Sequence, residues 1–174
     1  MRFGTYYFFQ APPHLEHAEI VRGEVEQMAW SEELGFDSVW LTEHHFIEYG
    51  LSVSPAVLAA AAAVRTRRVR IGLAAAILPF HDPIRLAEEL AIVDVLSGGR
   101  LDVGVGRGNR PVEFEGYRVP QIENRERFIN LKRKRGTKRR IQDMLSEQEA
   151  SQTAVTEALA AKAALPKTEA PKAV

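Results

Sequence analysis

The chain contains no cysteine, which excludes a disulfide framework and thiolate metal centres. No apolar run reaches the roughly 18 residues of a membrane-spanning helix, so no span is expected. The opening "MRFGTYYFFQAPP" lacks a small-residue cleavage pattern. No secretory leader is therefore expected, and the cytoplasm is the default location. Lysine is missing before Lys132, and aromatic rings are missing after Phe128. The formal net charge of zero thus conceals an acidic body and a basic remainder. Without rings, the last part has too little apolar surface to offset its own ordering entropy. Two parts are expected: residues 1–128 with a core, and a tail over 129–174. The tail is basic at first, then rich in Ala, Lys and Glu, and reads as low-complexity, disordered or loosely helical.

What is present in the body alternates. "RFGTYYFF" (Arg2 to Phe9) reads as a buried strand, followed by the loop "QAPP". From His17 to Leu34 the apolar residues Val21, Val25, Met28 and Ala29 recur at helical spacing, and Gly35 stops the helix. "DSVWLT" (Asp37 to Thr42) is a second strand. "SPAVLAAAAAV" (Ser54 to Val64) is a helix with Ser54 placed to cap it and Pro55 at its first position. "VRIGLAAAIL" (Val69 to Leu78) is a third strand. In "DPIRLAEELAIVDVLS" (Asp82 to Ser97) Asp82 caps, Pro83 opens, and Leu86, Leu90 and Val93 share a face. "LDVGVG" (Leu101 to Gly106) is a fourth strand. This order argues for parallel strands joined by right-handed crossovers. A doubly wound sheet and an eight-stranded barrel both satisfy it. A glycine fingerprint after the first strand would favour the former, and "FFQAPPH" has none; "GVGRGN" at the fourth strand is a weak near-match.

In either fold the working face lies at the carboxyl ends of the strands. Gln10, Pro12 and Pro13 follow the first strand, and Glu43, His44 and His45 the second. Pro79, Phe80 and His81 follow the third, and Arg107, Asn109 and Arg110 the fourth. The ionisable groups thus gather on one edge. Glu43, His44 and His45 are poor as a joint metal site, because neighbours in an extended segment point in opposite directions. Zinc would also need further ligands, for which His81 is the nearby candidate. A histidine as general base or donor is chemically easier, since imidazole titrates near neutrality; the competing reading is a solvated surface loop. Arg107, between Gly106 and Gly108, is placed to hold an anion, or to form an ordinary surface ion pair.

"GFDSVWLTEHHFIEYG", "GLAAAILPFHDPIRLAEELAIVDVLSGGRLDVGVGRG" and the opening stretch resemble the bacterial luciferase-like flavin monooxygenases. The likeness is greatest to proteins of the luciferase α-subunit type and runs over about residues 1–128. It implies an α/β fold, the N-terminal half of a (β/α)8 TIM barrel with four strands and three to four helices. It also implies reduced FMN, or in some branches F420, as cofactor. With dioxygen, a small organic substrate such as an aldehyde would be oxidised, the flavin supplying the hard chemistry. By this resemblance His44 is the catalytic histidine, supported by His45 and Glu43. Ala74 and Ala75 match the site of a non-proline cis peptide beneath the flavin ring. Arg107 and Arg125 match arginines on the flavin phosphate. Gly106 stands where luciferase has a reactive cysteine, which argues against light emission. Implied partners are a flavin reductase as source of reduced flavin and a second subunit in a homo- or heterodimer.

The resemblance ends at about Phe128, short of the roughly 250 residues a full barrel takes, and the chain runs on into "KRKRGTKRR" (Lys132 to Arg140). The chain reads there as truncated, frameshifted or joined to a foreign tail, which opens the alternative of a non-catalytic flavin-binding or oligomerising remnant. Seven of those nine residues are basic. The run reads first as a solvated charge block and second as a non-specific contact to nucleic-acid phosphates.

Overall fold

A computed structural model of the chain describes residues 1–47 and 50–133. Strands β1 (Gly4–Tyr7), β2 (Ser38–Leu41), β3 (Arg70–Ile77) and β4 (Leu101–Gly106) form one sheet in the order β1-β2-β3-β4. All three pairings are parallel. Helices α1 (His17–Glu33), α2 (Pro55–Arg65) and α3 (Pro83–Ser97) make the crossovers. Two more helices follow β4, the short α4 (Pro111–Gly116) and α5 (Asn124–Arg133). A doubly wound sheet reverses its strand order at a switch point. The sequential order here is that of the first half of a (β/α)8 barrel.

Strand alternation sorts the side chains. Val39 and Leu41 are fully buried, and the register aligns them with Thr5 and Tyr7 on β1 and with Ile71 and Leu73 on β3. All of these except the half-buried Thr5 form the core with Met28, Ala59, Ala62, Leu86 and Leu90 of the helices. The other sheet face carries Tyr6, Trp40, Gly72 and Asp102 in one row. A Cβ on Gly72 would stand 2.2 Å from the Trp40 ring, so only glycine admits the indole there. Arg70 and Asp102 meet on this face through two hydrogen bonds of 2.6 Å.

Several sequence expectations need correcting. The aromatic run at the N-terminus is not buried throughout: Phe3 is exposed, and Tyr6, on the uncovered sheet face, is 58% exposed. Ser54 occupies the cap position of α2 but makes no side-chain cap bond. Asp82, by contrast, accepts the N–H groups of Ile84 and Arg85. The apolar face of α1 centres on Ile20 and Met28. Most of the tail, Lys134 onward, lies outside the described residues, and with it most of the basic run proposed for nucleic-acid contact. No described helix is long and apolar enough to cross a membrane.

Candidate active site

The bulge in β3 shapes the upper edge of the sheet. Leu73 pairs with Val103 and Ala76 with Val105, so β3 spends one residue more than β4 over this interval. The extra residue lets Ala76 turn into the core while Ala74 and Ala75 stay partly exposed. The Ala74–Ala75 peptide is cis, as the family likeness implied. The Tyr6 hydroxyl donates to the Ala74 carbonyl at 3.2 Å.

Glu43, His44 and His45, in the loop after β2, part company, as alternation requires. Glu43 and His45 turn one way and are buried. Glu43 Oε1 accepts from His45 Nε2 at 2.8 Å and from His81 Nε2 at 2.8 Å. Its Oε2 accepts the Ile77 N–H at 2.8 Å. Burial alone would raise the Glu43 carboxyl, but the bonds from His45 and His81, the His81 charge and the Ile77 N–H prevail. They hold it at about 2. His81 moves oppositely: burial disfavours its charge, but the bond to Glu43 and the charges of Glu43 and Glu89 raise its pKa.

His44 turns toward α4. Its Nδ1 lies 3.0 Å from Glu113 Oε1, and the same oxygen accepts the His45 backbone N–H at 3.2 Å. Glu113 is 2% exposed. The backbone N–H of His44 donates to the Ser52 carbonyl, and its ring rests 4.8 Å from that of Phe8. The Tyr117 hydroxyl reaches His45 Nδ1 at 3.0 Å. Tyr117 in turn stacks on Phe80 at 4.7 Å, and Phe80 meets Phe114 edge-on. Burial, then the charges of Glu43 and Glu113, push the Tyr117 phenol up, so it keeps its proton near neutrality.

Arg107 and Arg125 are exposed. Asn124 Nδ2 donates to the Gly108 carbonyl at 3.4 Å, which joins the backbone beside Arg125 to that beside Arg107. Neither arginine forms an ion pair among the described residues. Glu113 and Tyr117 were missed from sequence, and His81 was weighed only as a ligand. The available signal was "PVEFEGY", in which Glu113 directly precedes Phe114 and Tyr117 follows one helical turn later, just after the loop of β4.

The sequence profile of the family described as luciferase-like monooxygenase matches residues 1–131. The chain belongs to the luciferase-like monooxygenase family. It is 36% identical over 126 residues to an alkanal monooxygenase alpha chain from the Kryptophanaron alfredi symbiont. That match covers 72% of this chain and 35% of the relative. The monooxygenase RslO1 from Streptomyces bottropensis superposes with a TM-score of 0.71 at 38% identity, over 75% of this chain and 40% of that one. The oxygenating constituent of 3,6-diketocamphane monooxygenase from Pseudomonas putida, solved in complex with FMN, gives 0.68 at 20% identity. It is covered over 39% of its length, against 75% of this chain, and at that identity bears on the fold alone. This luciferase-like chain spans about a third of the length of the curated relatives it matches.

Proposed function

We propose that this chain carries the acid–base rim of a flavin-dependent monooxygenase, an oxidoreductase that uses reduced FMN and dioxygen on a small organic substrate such as an aldehyde. One observation carries the reading. His44 is held through Nδ1 by a buried carboxylate, while its Nε2 has no partner among the described residues. A group so held can give or take a proton at one defined atom.

The residues fit a flavin mononucleotide. Ala74 and Ala75 offer a flat, partly exposed floor, and a Cβ at Gly106 would come within 3.4 Å of the Ala75 methyl. Arg107 and Arg125 supply exposed guanidiniums suited to a phosphate. When bound, reduced flavin supplies two electrons, so that dioxygen yields one oxygen atom for the substrate and one molecule of water. His44 Nε2 moves the proton, and Glu113 keeps its ring in place. The rings of Phe80 and Tyr117 pack edge-on against His45, with Phe114 behind Phe80, and brace that side of the site. A separate flavin reductase provides the reduced flavin, and the chain works as a homo- or heterodimer. His45 and Glu43 support the site from behind rather than touching the substrate.

The experiment is equilibrium binding of FMN and F420 to the purified chain, followed by oxygen uptake with reduced FMN and a long-chain aldehyde. Saturable FMN binding and aldehyde-dependent uptake that His44→Ala abolishes support the reading. FMN binding with no turnover assigns the chain to a flavin-binding remnant, and preference for F420 moves it to deazaflavin chemistry. Unchanged turnover in His44→Ala overturns the assigned role.

A further inference from the structure

We propose that the adjacent imidazoles of His44 and His45 are held in opposite tautomers by two buried glutamates. Glu113 fixes the proton of His44 on Nδ1, and Glu43 fixes that of His45 on Nε2. A neutral imidazole carries one N–H, and an ionised carboxylate only accepts. The proton positions therefore follow from which nitrogen faces which oxygen.

At His44 the facing atom is Glu113 Oε1, 3.0 Å from Nδ1. That oxygen already accepts the backbone N–H of His45, so it acts as an acceptor and Nδ1 donates. The lone pair is left on Nε2, on a ring that is 21% exposed. At His45 the order is reversed. Nε2 faces Glu43 Oε1, an oxygen that also receives His81 Nε2. Neither histidine can accept from an ionised carboxylate, so both donate. The lone pair of His45 then lies on Nδ1, where the Tyr117 hydroxyl donates to it at 3.0 Å.

Two neighbouring residues of one type thus become different reagents. The lone pair of His45 is used up inside the protein, between a buried ring and a phenol. That of His44 has no partner among the described residues, on a ring that is partly exposed. Glu113 is a positioning residue that acts through His44, and Glu43 performs the same service for His45 and so for Tyr117. The use of His44 Nε2 in catalysis rests on the proposed function; the tautomers do not.

The test is a long-range 1H–15N correlation spectrum of the labelled full chain without flavin, at about pH 8, above the ordinary imidazole pKa near 6.5. His44 is expected to show a protonated-type shift at Nδ1 and a bare-nitrogen shift at Nε2, and His45 the reverse. In Glu113→Gln the amide oxygen still accepts, so His44 keeps Nδ1–H. In Glu113→Ala it moves to the Nε2–H form that a free imidazole prefers, while His45 is unchanged. Matching tautomers at the two residues, Nε2–H on wild-type His44, or an imidazolium at either would overturn the proposal. The wild-type spectrum decides alone if the alanine variant does not fold. Failure to bind FMN would remove the proposed function and leave this spectrum as it is.

Discussion

Glu43 accepts the backbone N–H of Ile77 at 2.8 Å, and this bond ties the loop after β2 to the end of β3 just beyond its bulge. The same carboxylate holds His45 and His81. One buried side chain therefore fixes three segments: the histidine loop, the strand end beside Ala74 and Ala75, and the turn that leads into α3. Glu113 does the equivalent from the opposite side, joining α4 to His44 and to the backbone of His45.

The Glu43–His81 contact makes stability depend on pH in a stated direction. The Glu43 carboxyl is depressed from 4.5 to about 2, so its contribution is complete above 4.5 and disappears as pH falls toward 2. His81 is raised from 6.5, so its contribution is complete below 6.5 and is lost as pH rises through its folded value. The stability difference between wild type and Glu43→Gln is thus expected to be greatest between pH 4.5 and 6.5. Glu43→Ala, which strands two histidines and a backbone N–H, costs about 3 kcal/mol. Urea midpoints across pH measure both, and a difference that does not vary with pH would refute the linkage.

The proposed contact of Arg107 and Arg125 with the flavin phosphate would separate two flavins that share a ring. Each arginine replaced by alanine is expected to weaken FMN binding about tenfold, about 1.4 kcal/mol, in keeping with one lost charge-assisted bond. Riboflavin, which lacks the phosphate, is expected to bind wild type and variants alike. Fluorescence quenching titrations with both ligands provide the check. Equal losses for riboflavin would move the arginines away from the phosphate.

The alternation of strands and helices was legible because each element writes its own period into the sequence. The Asp82 cap and the divergence of Glu43, His44 and His45 were legible for the same local reason. Glu113 was not, because its partner His44 lies 69 residues away and α4 is too short to leave a period. An acid on a six-residue helix reads as solvated until the fold brings a histidine over it. The burial of Phe3 and Tyr6 was misjudged, since composition says nothing about which sheet face is covered. Periodicity also left barrel and doubly wound sheet equal, and strand order separated them.

Arg100 is a structural arginine with a measurable role. Its guanidinium donates to the carbonyls of Ser97, Val69, Ala63 and Thr66 and to the Thr66 hydroxyl. It thereby closes the C-terminal ends of α2 and α3 against the start of β3. Arg100→Met keeps much of the stem but leaves those carbonyls without donors, and about 3 kcal/mol of stability is expected to go. Arg100→Lys is expected to recover little, because a single ammonium cannot reproduce the fork. Denaturant titration of the three proteins tests this, and a lysine variant as stable as wild type would contradict it.

Gly72 and Trp40 form a pair that a double-mutant cycle can isolate. A Cβ at position 72 would lie 2.2 Å from Trp40 Cε3 and 2.5 Å from Cδ2. Those are ring atoms of an indole whose Nε1 is held by Ser38 Oγ at 2.9 Å. The ring cannot retreat without breaking that bond, so Gly72→Ala is expected to cost about 2 kcal/mol by overpacking. In a Trp40→Ala background the space is empty, and the same substitution is expected to cost almost nothing. The difference between the two costs is the coupling. If Gly72→Ala costs the same in both backgrounds, the glycine is needed for a reason other than the indole.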